Sequence, residues 1–359
     1  MSKMKRGTPA AAPKRPAIRA QVLRRQQDVE RPAPPPAYDG NDQLVVSTGS
    51  TLLDLAISGG RYRYGGIPAG ILVEIFGPSG SGKTVLLCQL AGNVQRAGGN
   101  VLFHDPEARL DKQFARMFGM DAEQIDYTTP DTVTEVFGAV REWEPEERPN
   151  TINGVFADSL AALSTNLEME KGDKMGQRRA KEFSEECRKT CRIITHRNLL
   201  MVCSNQVRQN VDAGPYEQRY ISPGGEAIGF YSSLRLRCST PIKTVEKRKI
   251  KGKEHSRVVG VETRIEVFKS SVWKPFRSAN VHIVYDYGVD DIRGNLRYLK
   301  TTRGDTTYKV GGESIGQSLE KAIATVEAQN LEQVLKDEVV DLWNEIERKF
   351  NSTRKPRAL

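Results

Sequence analysis

The sequence predicts an α/β protein with a mostly parallel, twisted sheet flanked by helices. From about residue 43, short apolar runs alternate with amphipathic stretches, as strands joined by crossover helices do. One such run leads into Gly77-Pro78-Ser79-Gly80-Ser81-Gly82-Lys83-Thr84, which fits G-x-x-x-x-G-K-[ST] at every fixed position. Three more runs each deliver a carboxylate or an amide at their carboxyl ends, where open α/β sheets place ligands.

Each element has a local reason. Ile71-Leu72-Val73-Glu74-Ile75-Phe76 reads as a buried strand, and Val85-Leu86-Leu87-Cys88-Gln89-Leu90-Ala91 as a helix whose N-terminus faces the phosphates. Between them the glycines let backbone N–H groups turn inward around a β-phosphate. Lys83 adds a cation for the β/γ oxygens, and Thr84 offers a hydroxyl to Mg²⁺. The chain is thus expected to grip a nucleoside triphosphate. Asn100-Val101-Leu102-Phe103-His104-Asp105 is a second strand, ending at Pro106-Glu107. Asn153-Gly154-Val155-Phe156-Ala157-Asp158-Ser159 is a third. It places Asp158 where phosphate-loop ATPases hold Mg²⁺ through water, with a helix N-cap as the alternative. Leu199 to Gln206 is a fourth, ending in an amide, so three strands converge on one γ-phosphate site.

The 359 residues are enough for one large domain of about 200–250 residues with small appendages. No run of 18 apolar residues occurs and the N-terminus has no apolar signal core, so the expectation is a cytoplasmic protein without a membrane partner. Cys88, Cys187, Cys191, Cys203 and Cys238 are scattered and read as buried, reduced thiols. The pair Cys187/Cys191 has no matching second pair for zinc. A net charge of +9 favours a polyanionic partner.

Residues 1–42 form a basic Pro/Ala-rich arm with few apolar anchors. Within it Ala17 to Gln27 reads either as a short basic helix docking on a neighbouring subunit or nucleic acid, or as a solvated tail. Residues 43–292 read as the core and 293–359 as a small C-terminal lobe. Two polar segments resist a core assignment: Glu168 to Gly176, which opens a basic helix bearing Arg178, Arg179 and Lys181, and Val207 to Gly225, too long for a simple connection. Lys243 to Lys253 looks like a basic hairpin, either a solvated turn or a contact for a phosphate backbone.

The motifs and their order resemble the RecA family of homologous-recombination ATPases, in a version most like those of bacteriophages, over roughly residues 46–320. The resemblance starts at Ser47-Thr48-Gly49-Ser50 and Leu53-Asp54 and runs through Ile67-Pro68-Ala69-Gly70 to Gly77-Pro78. It implies that Glu107, in Asp105-Pro106-Glu107-Ala108-Arg109-Leu110-Asp111, activates the attacking water. Asp111 and Phe114 then belong to the nucleotide site, with Phe114 stacking on adenine or else filling the core. Asp158-Ser159-Leu160-Ala161-Ala162-Leu163 is similar to the family's Mg²⁺ strand, and Ser204-Asn205-Gln206-Val207-Arg208 to its sensor strand, which makes Gln206 the implied γ-phosphate switch. Gly172-Asp173-Lys174-Met175-Gly176 resembles the first DNA-binding loop. Met175 is then a wedge between bases, with Gly176, Arg178 and Arg179 beside it. Val207 to Gly225 stands where the family has its second DNA-binding loop, which implies DNA contacts by Arg208, Val211, Arg219, Gly224 and Gly225. Glu262-Thr263-Arg264 and Val267-Phe268-Lys269 resemble the segment reaching a neighbour's ATP, so Lys269 is the implied trans cation. The family's second lysine is here Ser271, which bears on hydrolysis more than on binding. Tyr308 to Gln317 resembles the start of the family's small C-terminal α/β lobe. The end Arg354-Lys355-Pro356-Arg357 lacks an acidic tail, which implies less autoinhibition of duplex binding.

The resemblance therefore implies a RecA-like core using ATP and Mg²⁺, assembling into a helical filament with ATP at the subunit interface. It implies single-stranded and double-stranded DNA as partners, in a bacterial or phage-infected cell. Single-strand-binding and loader proteins are further partners that sequence does not identify. The rival readings are a hexameric helicase or KaiC-like ATPase on the same core, and an ATP-binding DNA-coating or mediator protein with little turnover.

Overall fold

The computed structural model describes residues 44–164, 176–209, 220–221, 226–352 and 354. After a short antiparallel pair, β1 (Val45–Val46) with β2 (Ile67–Pro68), come β3 (Ile71–Gly77), β4 (Val101–His104), β5 (Asp126–Thr128), β6 (Gly154–Ala157) and β7 (Leu200–Gln206). These five, with β10 (Leu234–Cys238), form the parallel half of one sheet in the order β10-β3-β7-β6-β4-β5. The predicted strands are all present, and β3 lies beside β7, so the phosphate loop and the sensor strand leave the sheet together.

β3, β4, β6 and the first four positions of β7 are apolar at nearly every position because both faces are covered. Val73, Ile75, Val101, Phe103, Phe156, Leu200 and Val202 enter one core, with Leu86, Leu87 and Leu90 of the helix Lys83–Arg96. The intervening Leu72, Leu102, Val155, Ala157, Met201 and Cys203 enter a second core on the other face. There they meet Val136 and Phe137 of Val133–Glu142 and Phe183 and Cys187 of Gly176–His196. Alternation along each strand thus divides one apolar run between two cores. Thr132 and Glu135 close a capping box at the start of Val133–Glu142, satisfying N–H groups that the helix leaves without partners.

The other half is antiparallel. β12 (Lys253–Ser270) pairs with β10, β13 (Ser278–Val284) pairs with β12, and β14 (Gly288–Val289) pairs with β13. Next to the seam, inside the parallel half, an ion pair joins β3 and β10. Glu74, fully buried on β3, accepts from Arg235 Nε on β10 at 2.6 Å and from Asn205 Nδ2 on β7 at 3.0 Å. The Arg235 guanidinium lies 4.6 Å from the ring centre of Phe76 and 5.4 Å from that of Phe268. β11 (Ile242–Ile250) pairs with the first half of β12 as the expected basic hairpin. Its turn is Lys251-Gly252 with φ of 50° and 81°, the doubly positive geometry of a type I′ turn.

The C-terminal segment builds a third core. The helix Asp291–Arg303, the pair β15 (Tyr308–Val310) and β16 (Glu313–Gly316), and the helices Leu319–Ala328 and Glu332–Lys349 bury Ile292, Leu296, Val310, Leu335 and Val339 together. The division placed after residue 292 falls inside the first of these helices, which Asp290 caps. Of the remaining short strands, β8 (Arg208–Gln209) and β9 (Tyr220–Ile221) pair antiparallel. All five cysteines are free. Burial raises their thiols, Cys88 and Cys238 to about 12, which makes them unreactive. No helix among the described residues is long and apolar enough to cross a membrane.

Candidate functional site

The carboxyl ends of β3, β4, β6 and β7 open into a cavity of about 510 Å³ lined by the phosphate loop, Asp105, Glu107, Asp158, Ser204 and Gln206. Gly82, the residue before the helix Lys83–Arg96, has φ 87°, and an added Cβ would come within 2.3 Å of Ile283. Only glycine fits both constraints. No side chain caps that helix, so its first N–H groups and positive dipole end are left to an anion. Gly80, at φ 73°, has nothing within 4 Å of where a Cβ would stand.

Lys83 is buried. Its Nζ donates to the carbonyls of Gly77 at 3.0 Å and Pro78 at 2.8 Å, so the side chain folds back across the loop, and desolvation lowers its pKa. Ser81 Oγ donates to the Pro78 carbonyl at 2.8 Å. Thr84 Oγ1 donates to Asp158 Oδ2 at 2.6 Å, and Ser204 Oγ donates to Asp158 Oδ1. Asp158 is therefore not an N-cap: the 3₁₀ turn Leu160–Ala162 begins after Ser159 and has no side-chain cap. One carboxylate joins the helix after the loop, β6 and β7. The resulting set of hard oxygen donors suits Mg²⁺, which keeps waters and phosphate oxygens as its other ligands.

Glu107 pairs with Arg109 Nη1 at 2.6 Å and lies 3.5 Å from Ser159 Oγ, which donates to it. Asp105 shapes the same turn by accepting from Leu110 N at 2.7 Å and from the Tyr127 hydroxyl at 2.9 Å. Burial, reinforced by Asp105, raises that phenol to about 12. Asp111 caps the helix Lys112–Met117, accepting from Gln113 N and Phe114 N at 2.9 Å each, while also lining the cavity. Phe114 lines the cavity too and packs edge-on against Phe118, ring centres 4.5 Å apart, beside the core. Gln206 is exposed at the end of β7.

Lys269 does not line this cavity. It stands opposite Arg235 on β10, and Arg235 opposite Glu74, three positions before Gly77 on β3. Its Nζ donates to the carbonyls of Gly229 at 2.9 Å and Phe230 at 2.8 Å, in the helix Glu226–Tyr231 that follows the second polar segment. Gly176, Arg178 and Arg179 lie at the start of the helix Gly176–His196, and Arg208 lies in β8. Met175, Val211, Arg219, Gly224 and Gly225 fall outside the described residues, as does the arm at 1–42.

Sequence reading missed Ser204 and Arg109 as partners of Asp158 and Glu107, and missed Val261, Ile283 and Tyr285, by which the antiparallel half lines the cavity. Ser204 had one signal, a hydroxyl two positions before Gln206 on the same strand. Arg109 stands only two positions from Glu107, where a charge pair is one of several side-chain arrangements open to a turn, and Val261, Ile283 and Tyr285 reach the cavity through pairings distant in sequence.

Fold and loop together define a phosphate-loop protein of the α/β class. The RecA N-terminal domain family matches residues 39–290. Protein RecA of Marinobacter nauticus is 32% identical over 322 residues, covering 88% of this chain and 85% of that one. Protein RecA of Deinococcus radiodurans is 32% identical over 308 residues, covering 83% and 80%. Protein RecA of Anaplasma marginale (strain Florida) is 31% identical over 314 residues, covering 86% and 80%. Among solved structures, the crystal structure of the RadB recombinase is similar with a TM-score of 0.48 and 19% identity, covering 68% of this chain and 98% of that one. The chain belongs to the RecA family.

Proposed function

We propose that this protein is a DNA-dependent ATPase that polymerises on single-stranded DNA and pairs and exchanges it with homologous duplex DNA. The observation that carries the reading is the convergence of Lys83, Thr84, Asp158, Glu107 and Gln206 from four adjacent strand ends on one cavity, in a chain of the RecA family. Lys83 and the loop N–H groups bind the β- and γ-phosphates of ATP. Thr84 and Asp158 hold Mg²⁺, Asp158 through water; when bound, the ion neutralises charge on the phosphate oxygens. Glu107 orients and polarises the attacking water once Arg109, 79% exposed, gives up its pairing. Gln206 reads the γ-phosphate and passes its presence to the segment that starts at Val207, where Arg208, Val211 and Arg219 contact DNA together with Met175, Arg178 and Arg179 of the first loop. Lys269 acts on a neighbouring subunit's ATP, consistent with its distance from its own cavity.

A second reading, ATP binding with little turnover, is favoured by one observation. Lys269 is engaged by two carbonyls of its own chain, and Ser271, at the next such position, carries no charge. ATP hydrolysis measured against protein concentration, with and without single-stranded DNA, separates the two. The proposal expects cooperative, DNA-stimulated turnover that Glu107→Gln and Lys83→Ala both abolish, with Glu107→Gln still coating DNA. DNA coating with turnover at background in the unmodified protein favours the second reading, and turnover indifferent to DNA overturns the first.

A further inference from the structure

Among the described residues, the charged side chains that line the cavity are four carboxylates, Asp105, Glu107, Asp111 and Asp158, and two cations, Lys83 and Arg109. Lys83 is folded back on the carbonyls of Gly77 and Pro78. Arg109 is the other cation, and the turn that carries Glu107 also sets its place. Ala108 stands between the two at φ 50°, in the left-handed region that a residue with a Cβ seldom occupies. Asp105 holds it there: its carbonyl accepts from Ala108 N at 3.0 Å and its carboxylate from Leu110 N at 2.7 Å. The turn thereby brings two side chains, two positions apart, into contact on the cavity wall.

The two oxygens of Glu107 are held differently. Oε2 accepts from Arg109 Nη1 at 2.6 Å, whereas Oε1 accepts from Ser159 Oγ at 3.5 Å. The Arg109 side chain is 79% exposed, so water screens the pair and it contributes little. A guanidinium carries its N–H donors in a planar fork, and a phosphate offers that fork two oxygens at once with more charge than a carboxylate. A γ-phosphate entering this cavity therefore outcompetes Glu107 for Arg109. It also needs a cation there. Glu107 must approach the terminal phosphate to take a proton from the attacking water, and two anions repel unless positive charge stands between them. The antiparallel half does not offer one freely: Ser271 is uncharged, and Lys269 Nζ is engaged by the carbonyls of Gly229 and Phe230.

We propose that Arg109 is a catalytic cation that transfers from Glu107 to the γ-phosphate of ATP bound in the same subunit, so that arrival of the substrate itself releases the base. This rests on the ATPase reading above and adds to it the group that couples substrate entry to the base. Once transferred, Arg109 neutralises the terminal phosphate, Oε2 of Glu107 is free for the water, and Oε1 stays beside Ser159. In the hydrolysis step the water oxygen bonds to the γ-phosphorus and passes a proton to Glu107. The bond from that phosphorus to the β,γ-bridging oxygen breaks, and ADP leaves with the electron pair. The proton departs from Glu107 with the released phosphate. ADP has no terminal phosphate for Arg109, so the Arg109–Glu107 pair re-forms and closes the base again.

The test compares the unmodified full chain with Arg109→Ala and Arg109→Lys in two assays. Displacement of a fluorescent ADP, with Mg²⁺ present and at protein concentrations where light scattering shows no assembly, measures affinity for ADP and for the non-hydrolysable ATP analogue AMP-PNP. Steady-state ATP turnover is followed with and without single-stranded DNA. Arg109→Ala is expected to weaken AMP-PNP at least about tenfold, through loss of a charge-assisted contact to phosphate, and to leave ADP within about twofold. Turnover should fall at least about tenfold as well, and Arg109→Lys, which keeps the charge without the fork, should recover part of both losses. AMP-PNP affinity unchanged in Arg109→Ala overturns the transfer. DNA-free turnover that rises in Arg109→Ala overturns it too, since Arg109 is then only a brake on Glu107. A loss equal for ADP and AMP-PNP places Arg109 elsewhere in the site, and a loss that appears only after assembly gives it to a neighbouring subunit's ATP; either overturns the assignment. Failure of the wider reading shows separately, as turnover that single-stranded DNA does not stimulate in the unmodified protein while AMP-PNP affinity still depends on Arg109.

Discussion

The two halves of the central sheet use the same hydrogen-bonding ladder for opposite ends. In the parallel half the central strands β3, β4, β6 and β7 are buried on both faces, and apart from Glu74 and its partner Asn205 the polar side chains gather toward their carboxyl ends: Asp105, Asp158, Ser204 and Gln206. In the antiparallel half, β12 begins as an exposed, charged ribbon and becomes a buried strand only from Gly260 onward. Burial makes the first half a rigid frame whose reactive groups are held by one another. Exposure leaves the second half free to present charge to something outside the molecule. A side chain's consequences therefore follow from which half holds it and how far along the strand it lies.

The sharpest way to break this contrast lies on β3, where Glu74 and Lys83 stand on either side of the point at which the strand becomes the loop. Glu74→Ala leaves the Arg235 guanidinium against the core without its carboxylate, and should cost about 3–5 kcal/mol in urea unfolding. Adding Arg235→Met, which removes the stranded charge while keeping bulk over Phe76 and Phe268, should recover most of that loss. If the single variant is as stable as the parent, this pair does not hold β10 to β3. Lys83→Ala should do the reverse. Its contacts are two loop carbonyls, so the urea midpoint should barely move, while ATP turnover falls at least about a hundredfold through loss of charge stabilisation at the phosphates. A large drop in stability with Lys83→Ala would show that the loop is part of the frame.

The same contrast explains how far the sequence could be read. The parallel half was legible because each of its signals is local: an apolar run and the phosphate loop it leads into lie within fourteen residues from Ile71 to Thr84, and an apolar run and its carboxylate within five from Gly154 to Asp158. The hairpin was legible for the same reason, since its turn and its pairing are adjacent. The Glu74–Arg235 pair spans 161 positions and Ser204–Asp158 spans 46, and no local pattern marks either. Asp111 carried two readings at once, and only its bonds to Gln113 and Phe114 show that it also starts a helix. Phe114 likewise both packs and lines the cavity, so the choice between core and stacking ring had no single answer in the sequence.

Asp54 tests whether a buried carboxylate behaves alike outside the parallel half. It accepts from Ser47 Oγ and, through Oδ1, from Thr48 N at 2.8 Å and Thr48 Oγ1 at 2.7 Å, yet desolvation outweighs those bonds and raises its pKa to about 6. The folded state thus holds the proton more tightly than the unfolded chain. Its contribution is fully present below the ordinary carboxylate value and is lost as pH rises through about 6. Urea unfolding at pH 4, 5, 6 and 7, compared with Asp54→Asn, should show the unmodified protein losing about 2–3 kcal/mol relative to the variant across that range. Parallel pH profiles would mean that the three hydrogen bonds hold the carboxylate ionised throughout.

The smallest effect on stability is expected at the ribbon, where Lys247 and Glu254 are 3.1 Å apart with side chains 66% and 56% exposed. Pairs of this kind exchange one set of water contacts for a weak, screened attraction and lose side-chain freedom in doing so. Glu254→Gln should leave the urea midpoint unmoved. A midpoint that drops with Glu254→Gln would place the pair among the contacts that hold the fold, and the contrast between the buried half and the exposed ribbon would fail.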